Sequence, residues 1–237
     1  MKKYIIDEFK KINMDISDYQ ANQFYRYYEL LSEKNKVMNL TAITEFPEVV
    51  EKHFLDSCIC SNELIHGGGS GIKLIDVGTG AAFPGIPLKI LYPSLDVTLL
   101  DSLNKRLVFL ETVIEELGLK GISTVHYRAE DGGRDKAYRE QFDIAVARAV
   151  ANLSSLAEYC MPFVKVGGIF AAYKAEASEE IQAAKNAVSI LGGEISKIIE
   201  CRLPNTGGVR QIAVIGKKKS TPGKYPRKAG VPSKNPL

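Results

Sequence analysis

The chain has 237 residues, 45% of them hydrophobic and 25% charged, which suits one large buried core and argues against a disordered chain. No apolar run approaches the ~18 residues of a membrane span, the start "MKKYIIDEFKKINMD" is unlike a signal peptide, and four scattered cysteines form no Cys-x-x-Cys pair. A membrane protein, a secreted disulfide scaffold and a metal site are therefore disfavoured, and a cytoplasmic protein is expected.

Residues 1–66 carry apolar side chains at helical spacing and read as an N-terminal helical cap. "SDYQ" from Ser17 is a capping box, with Ser17 as N-cap and Gln20 three residues on. Phe24, Tyr28 and Leu31 then share one face. A second helix starts near Thr44, with Pro47 in its first turn, and carries Val50, His53, Phe54 and Ser57. The glycine-rich "HGGGSG", His66 to Gly71, ends the cap.

From there to residue 216, β-branched runs alternate with helical segments. "IKLIDV", "DVTLLD", "ISTVHY", "FDIAVA" and "GGIFAAYK" read as strands, and "NKRLVFLETVIEELG" as one of the helices between them. This α/β pattern predicts a mostly parallel sheet covered on both faces. After one helix over "SEEIQAAKNAVSILGG", the strands "EISKIIECRL" and "VRQIAVIG" follow without a helix between them, which predicts a terminal hairpin. Residues 217–237 hold seven basic side chains and no acid, leaving 24 basic against 28 acidic in the rest. With four of the ten prolines, this tail is expected to lie extended over the surface, as a phosphate contact or simply as a solubilising end, the alternative being that it packs back on the sheet with Tyr225 and Leu237 as anchors.

"LIDVGTGAAFPGIP", Leu74 to Pro87, places Asp76 at the end of the first strand and two glycines just beyond it. Gly78 and Gly80 can adopt positive φ and let a ligand lie on bare backbone. Asp101 ends the second strand, where an acid bonds the hydroxyls of an adenosine ribose; the alternative is a helix N-cap. "RAED", Arg128 to Asp131, follows the third strand and reads as a polar loop within reach of a base edge. Phe83 stands where a dinucleotide fingerprint needs a small residue, and no Gly-Lys-Ser/Thr follows, so NAD and a P-loop are disfavoured. S-adenosylmethionine fits what remains, with Asp76 suited to its cationic amino group.

"DVGTGAAFPGIP", "DSLNKR", "RAE", "ARAV" and the ending "YPRKAGVPSKNPL", with "NLTAIT" and "HFLDS" upstream, resemble the bacterial small-subunit ribosomal RNA guanine-N7 methyltransferases, the glucose-inhibited division protein B family. The resemblance implies a Rossmann-like class I methyltransferase sheet of seven strands, S-adenosylmethionine as donor, and small-subunit ribosomal RNA or the small subunit as partner of a monomer. It places Gly78, Phe83, Ala129, Glu130 and Arg148 against the cofactor. Ala82 stands where that family usually has a third glycine.

Guanine N7 bears no proton, so its methylation needs alignment rather than a general base. Accordingly "ARAVANL", after the fourth strand, offers no cysteine nucleophile, and no Asn/Asp-Pro-Pro-Tyr loop occurs. Arg148 is the expected catalytic residue, a fork for guanine O6 or a phosphate, the alternative being a salt bridge to Asp143 or Asp76. Lys174, Arg210, Lys224, Arg227 and Lys228 are the candidate RNA contacts. His53 and Asp56 lie three apart on one helix face and could support the substrate cleft, with His53 read mainly as a packing residue. A small-molecule methyltransferase and a non-catalytic RNA-binding protein are the alternatives.

Overall fold

In the computed structural model, which describes residues 1–148 and 151–237, seven strands form one sheet in the order β3-β2-β1-β4-β5-β7-β6. They are β1 (Lys73–Val77), β2 (Asp96–Asp101), β3 (Ile122–His126), β4 (Phe142–Arg148), β5 (Val164–Lys174), β6 (Gly193–Arg202) and β7 (Val209–Lys217). The first five are parallel, while β7 runs antiparallel to both β5 and β6. Each expected strand is present, because short β-branched runs bounded by turn residues have few other ways to bury both faces.

The alternation of side chains divides the core in two. Leu74, Val97, Leu99 and Val146 face one layer, and Ile75, Val77, Leu100 and Ala145 face the other. The first layer holds α1 (Lys2–Lys11), α2 (Asp18–Met38), α3 (Phe46–Val49), a wide π-helical turn (Val50–Leu55), α4 (Asp56–Cys58), α5 (Gly85–Leu91) and α6 (Asn104–Glu116). The second holds α7 (Ala129–Gly132), α8 (Leu153–Cys160), α9 (Ser178–Ala183) and α10 (Lys185–Ile190). A last short helix, α11 (Val231–Lys234), lies against α8. Among the described residues, no helix is long and apolar enough to cross a membrane.

The capping box forms as read: Ser17 accepts from Gln20 N, and the Gln20 side chain accepts from Ser17 N. The Gln20 amide also donates to Ile90 O at 2.8 Å, satisfying an orphan carbonyl at the end of α5. One helix thereby fastens another. Within α2 the fully buried tyrosine is Tyr27 rather than Tyr28: Tyr27 stacks on Phe54 and Phe83, while the half-buried Tyr28 packs edge-on against Phe46. The segment read as one helix over residues 178–191 is two, separated at Ala184. "RAED" is no plain loop, since Arg128 is the N-cap of α7.

Successive strands leave β1 first toward β2 and β3, then toward β4, so the order reverses between β1 and β4. A crevice opens beyond the carboxyl ends of the strands at such a point. Ala82, in the loop after β1, adopts φ +64°. An L-residue there costs roughly 1–2 kcal/mol, against about 0.8 kcal/mol for burying its methyl group. The remaining cost is met by the turn's own bonds, Ala82 N to Thr79 O at 2.7 Å and Ile86 N to Ala82 O at 3.0 Å, and the left-handed geometry persists without the glycine.

Candidate active site

A cavity of about 560 Å³ occupies this crevice, within the size range of small-molecule sites. Its floor is the loop after β1. Gly78 and Gly80 both have positive φ, at +71° and +61°. The amides of Gly78 and Thr79 donate to Leu100 O at 2.9 and 3.0 Å, tying the turn to β2. Asp101, 2% exposed, accepts from Gly80 N at 2.9 Å and Leu103 N at 2.8 Å, and meets Arg106 at 3.3 Å. It is not the helix N-cap, which is Leu103. Ala129 and Glu130 line the cavity from the start of α7, together with Tyr127 and Arg128.

Asp76 has a different place from the one expected. Its carboxylate lies behind the loop, where Oδ2 accepts from the Thr79 hydroxyl at 2.7 Å and from Gly85 N at 2.9 Å. It is not among the residues lining the cavity. Burial pushes its carboxyl up to about 6, against the opposing pull of those two bonds. The acid at the end of β1 thus shapes the turn instead of facing a cationic ligand group.

Gly85 explains how α5 approaches the sheet although Phe83 is bulky. A Cβ at Gly85 would stand 2.5 Å from Leu99 Cδ2 and 2.8 Å from Asp76 Oδ2. The close-packing glycine is therefore two residues beyond the fingerprint position. Phe83 instead turns toward the N-terminal helices, where His53 stacks on it at 4.4 Å and the Arg148 guanidinium lies 5.2 Å from its centre.

A second cavity, about 340 Å³, adjoins the first and shares His53 and Arg148 with it. Lys52, Asp56, Tyr173, Lys174 and Arg210 also line it. Arg148 pairs with neither Asp143 nor Asp76. Its Nη1 donates to Asp56 at 2.8 Å and to Lys52 O at 3.3 Å, while Arg210 holds the other Asp56 oxygen at 2.6 Å. Asp143 pairs with Lys165 instead.

His53 is more than a packing residue, since it lines both cavities. Burial, and next the Arg148 charge, lower its pKa to about 4, so it is neutral near pH 7. Nδ1 lies 3.2 Å from Arg148 Nη2, which can only donate, and 3.1 Å from Lys52 O, which can only accept, while Nε2 is 2.8 Å from the Thr41 hydroxyl, so either neutral tautomer finds partners at both nitrogens. Both ring nitrogens are engaged.

The expected RNA contacts fare unevenly. Lys174 is held by Ala151 O and Glu180 at 2.7 and 2.6 Å, but still borders the second cavity beside Arg210. Lys224 and Lys228 are exposed, and Lys224 lies over the Tyr225 ring. Arg227 is not a free contact: it forks onto Glu158, which is fully buried, at 2.6–3.0 Å. The tail is not extended over solvent, since Thr221, Tyr225, Pro226 and Pro232 are buried. Of "ARAVANL", residues 149 and 150 lie outside the described residues.

A family model described as rRNA small subunit methyltransferase G matches residues 20–209. The chain is 52% identical to the ribosomal RNA small subunit methyltransferase G of Acetivibrio thermocellus, over 100% of this chain and 97% of that one. It is 50% identical to the Streptococcus thermophilus protein of the same name, over 96% of each. Among solved structures, a methyltransferase from Pyrococcus furiosus shares the fold at TM-score 0.56 and 17% identity, over 84% of this chain and all of that one. M. jannaschii TYW2, solved in complex with AdoMet, superposes at TM-score 0.51 and 14% identity over 68% of this chain and 74% of its own. With Rossmann-like sheet, terminal hairpin and crevice all in place, the chain belongs to the ribosomal RNA small subunit methyltransferase G family.

Proposed function

We propose that this protein transfers a methyl group from S-adenosylmethionine to N7 of a guanine in small-subunit ribosomal RNA. One observation carries the arrangement: two cavities meet at Arg148 and His53, one floored by a glycine turn with an acid at its ribose end, the other edged by arginine and lysine. When bound, the cofactor supplies an electrophilic sulfonium methyl group. Gly78, Gly80 and Phe83 would hold its aminoacyl end, Asp101 the ribose hydroxyls, and Ala129 with Glu130 the adenine. Arg148 would orient the guanine through O6, with Arg210 and Lys174 near the flanking phosphates.

Among the described residues at the junction, His53 is a poor proton acceptor, because its pKa is lowered to about 4 and both ring nitrogens are already engaged. N7 needs none. The rate at saturation is thus expected to lack a bell-shaped pH dependence around neutrality. The exposed lysines of the tail, Lys224 and Lys228 among them, would add phosphate contacts. The exposed large apolar side chains are scattered, with Tyr19 and Val37 at opposite ends of α2, Val166 on β5 and Ile198 on β6, which supports a monomer; a cytoplasmic location accords with ribosomal RNA as the substrate.

Labelled methyl transfer to undermethylated small subunits, naked ribosomal RNA and a panel of small molecules tests the proposal. The label should enter RNA and be released with 7-methylguanine on depurination. Label only in small molecules would establish a different acceptor, and none anywhere would leave a binding protein. Asp101→Ala should weaken S-adenosylhomocysteine binding by roughly 1–3 kcal/mol, the cost of stranding polar partners. Calorimetry checks this, and an unchanged affinity would reduce Asp101 to a tie between two loops.

A further inference from the structure

The tail returns across the sheet's second face and reaches the cofactor cavity. Its first half is heavily anchored. Arg139 donates to Thr221 O at 2.6 Å and to Tyr225 O at 2.9 Å, Arg134 donates to Pro226 O at 2.6 and 2.9 Å, and Arg227 is clamped on Glu158. Beyond Arg227 the attachments thin out. Gly230 N donates to Glu130 Oε1 at 2.9 Å, the Ser155 hydroxyl donates to Pro232 O at 2.6 Å and Arg227 Nη2 donates to Asn235 O at 2.8 Å, while Lys228, Ala229 and Ser233 to Pro236 are exposed. Yet Gly230 and Ser233 line the larger cavity, on the same side as Ala129, Glu130 and Tyr159.

We infer that residues 230–237 are a wall of the cofactor site, positioning Glu130 and closing the cavity at its nucleoside end, and that a bound ligand in turn holds this wall in place. This rests on the cofactor assignment above. The geometry carries the first half: Glu130, 8% exposed, spends one carboxylate oxygen on the Gly230 amide, so its orientation depends on this wall. Linkage requires the second. A segment that improves ligand binding must itself be stabilised by the ligand to the same degree. The anchors at Tyr225 and Arg227 lie upstream; removing the wall takes away Asn235 O, to which Arg227 Nη2 donates at 2.8 Å, but leaves the guanidinium fork on Glu158.

The test uses S-adenosylhomocysteine with the full chain and with a chain ending at Ala229. The shortened protein should melt cooperatively and bind at least tenfold more weakly than the full chain. In the full chain, the ligand should slow hydrogen exchange in the peptide spanning residues 228–237 at least fivefold. Equal affinity of the two chains overturns the inference. If the shortened chain fails to melt cooperatively, exchange in the intact protein decides: slowing supports the wall, and unchanged exchange overturns it. Absence of binding by the full chain would instead overturn the cofactor assignment, a result the comparison identifies by itself.

Discussion

Arg227→Ala lowers the unfolding free energy by about 3–5 kcal/mol, the usual cost of stranding one member of a buried ion pair. Glu158 is fully buried and takes the guanidinium fork through both oxygens, with a further bond from the Arg227 main-chain amide at 2.7 Å. Alanine leaves that amide as the carboxylate's remaining partner from the tail, so the loss should fall toward the lower end of the range. For a chain of this size that corresponds to a melting temperature lower by roughly 6–12 °C. Urea denaturation measures it directly. The double variant Arg227→Met with Glu158→Leu should recover all but about 1 kcal/mol, because apolar groups of similar volume replace buried pairs at little cost. An alanine variant as stable as the parent would return Arg227 to the role of a free RNA contact.

Arg148→Ala should reduce methyl transfer at saturating substrates about 100-fold, equivalent to ~2.7 kcal/mol of transition-state stabilisation. The residue lies at the meeting point of the two cavities and is held from three directions, by Asp56, Lys52 O and His53. Its placement is what a reaction governed by alignment depends on. Arg148→Lys keeps the charge but cannot hold Asp56 and Lys52 O while presenting a planar fork to a base, so a fall of roughly tenfold is expected. Single-turnover transfer of labelled methyl to undermethylated small subunits reads both variants. Asp56 retains Arg210, so a folded protein is expected, and circular dichroism verifies it. Turnover within threefold of the parent in the alanine variant would remove Arg148 from the reaction.

How these two arginines ended up with such different work bears on what a sequence can tell. The strands, the capping box at Ser17, the terminal hairpin and the positive-φ glycines after β1 were legible, because each is set by neighbours within a few residues. Asp101 at the mouth of the crevice was legible too, since the end of β2 fixes it there. The family motifs pointed to Arg148 but not to its partner, because Asp56 lies 92 residues earlier, on another layer, and composition offers many acids for one arginine.

The charge count of the tail was correct, but two of its seven basic side chains are not available as surface contacts. Arg227 is clamped, and Lys217 is buried against Met161 O and Thr221, with burial pushing its ammonium down to about 8. A sum of charges carries no information on which are paired. Asp76 and Gly85 show the same limit at short range: one carboxylate turns behind the loop and one glycine takes the close contact, as the approach of α5 to β2 demands. The sequence by itself determined the elements, their order and the glycine turn, since local periodicity and backbone sterics are short-range. Only the tertiary structure decided the partners of Arg148, the inward course of the tail and the walls of both cavities, because these depend on which distant segments the reversed strand order brings side by side.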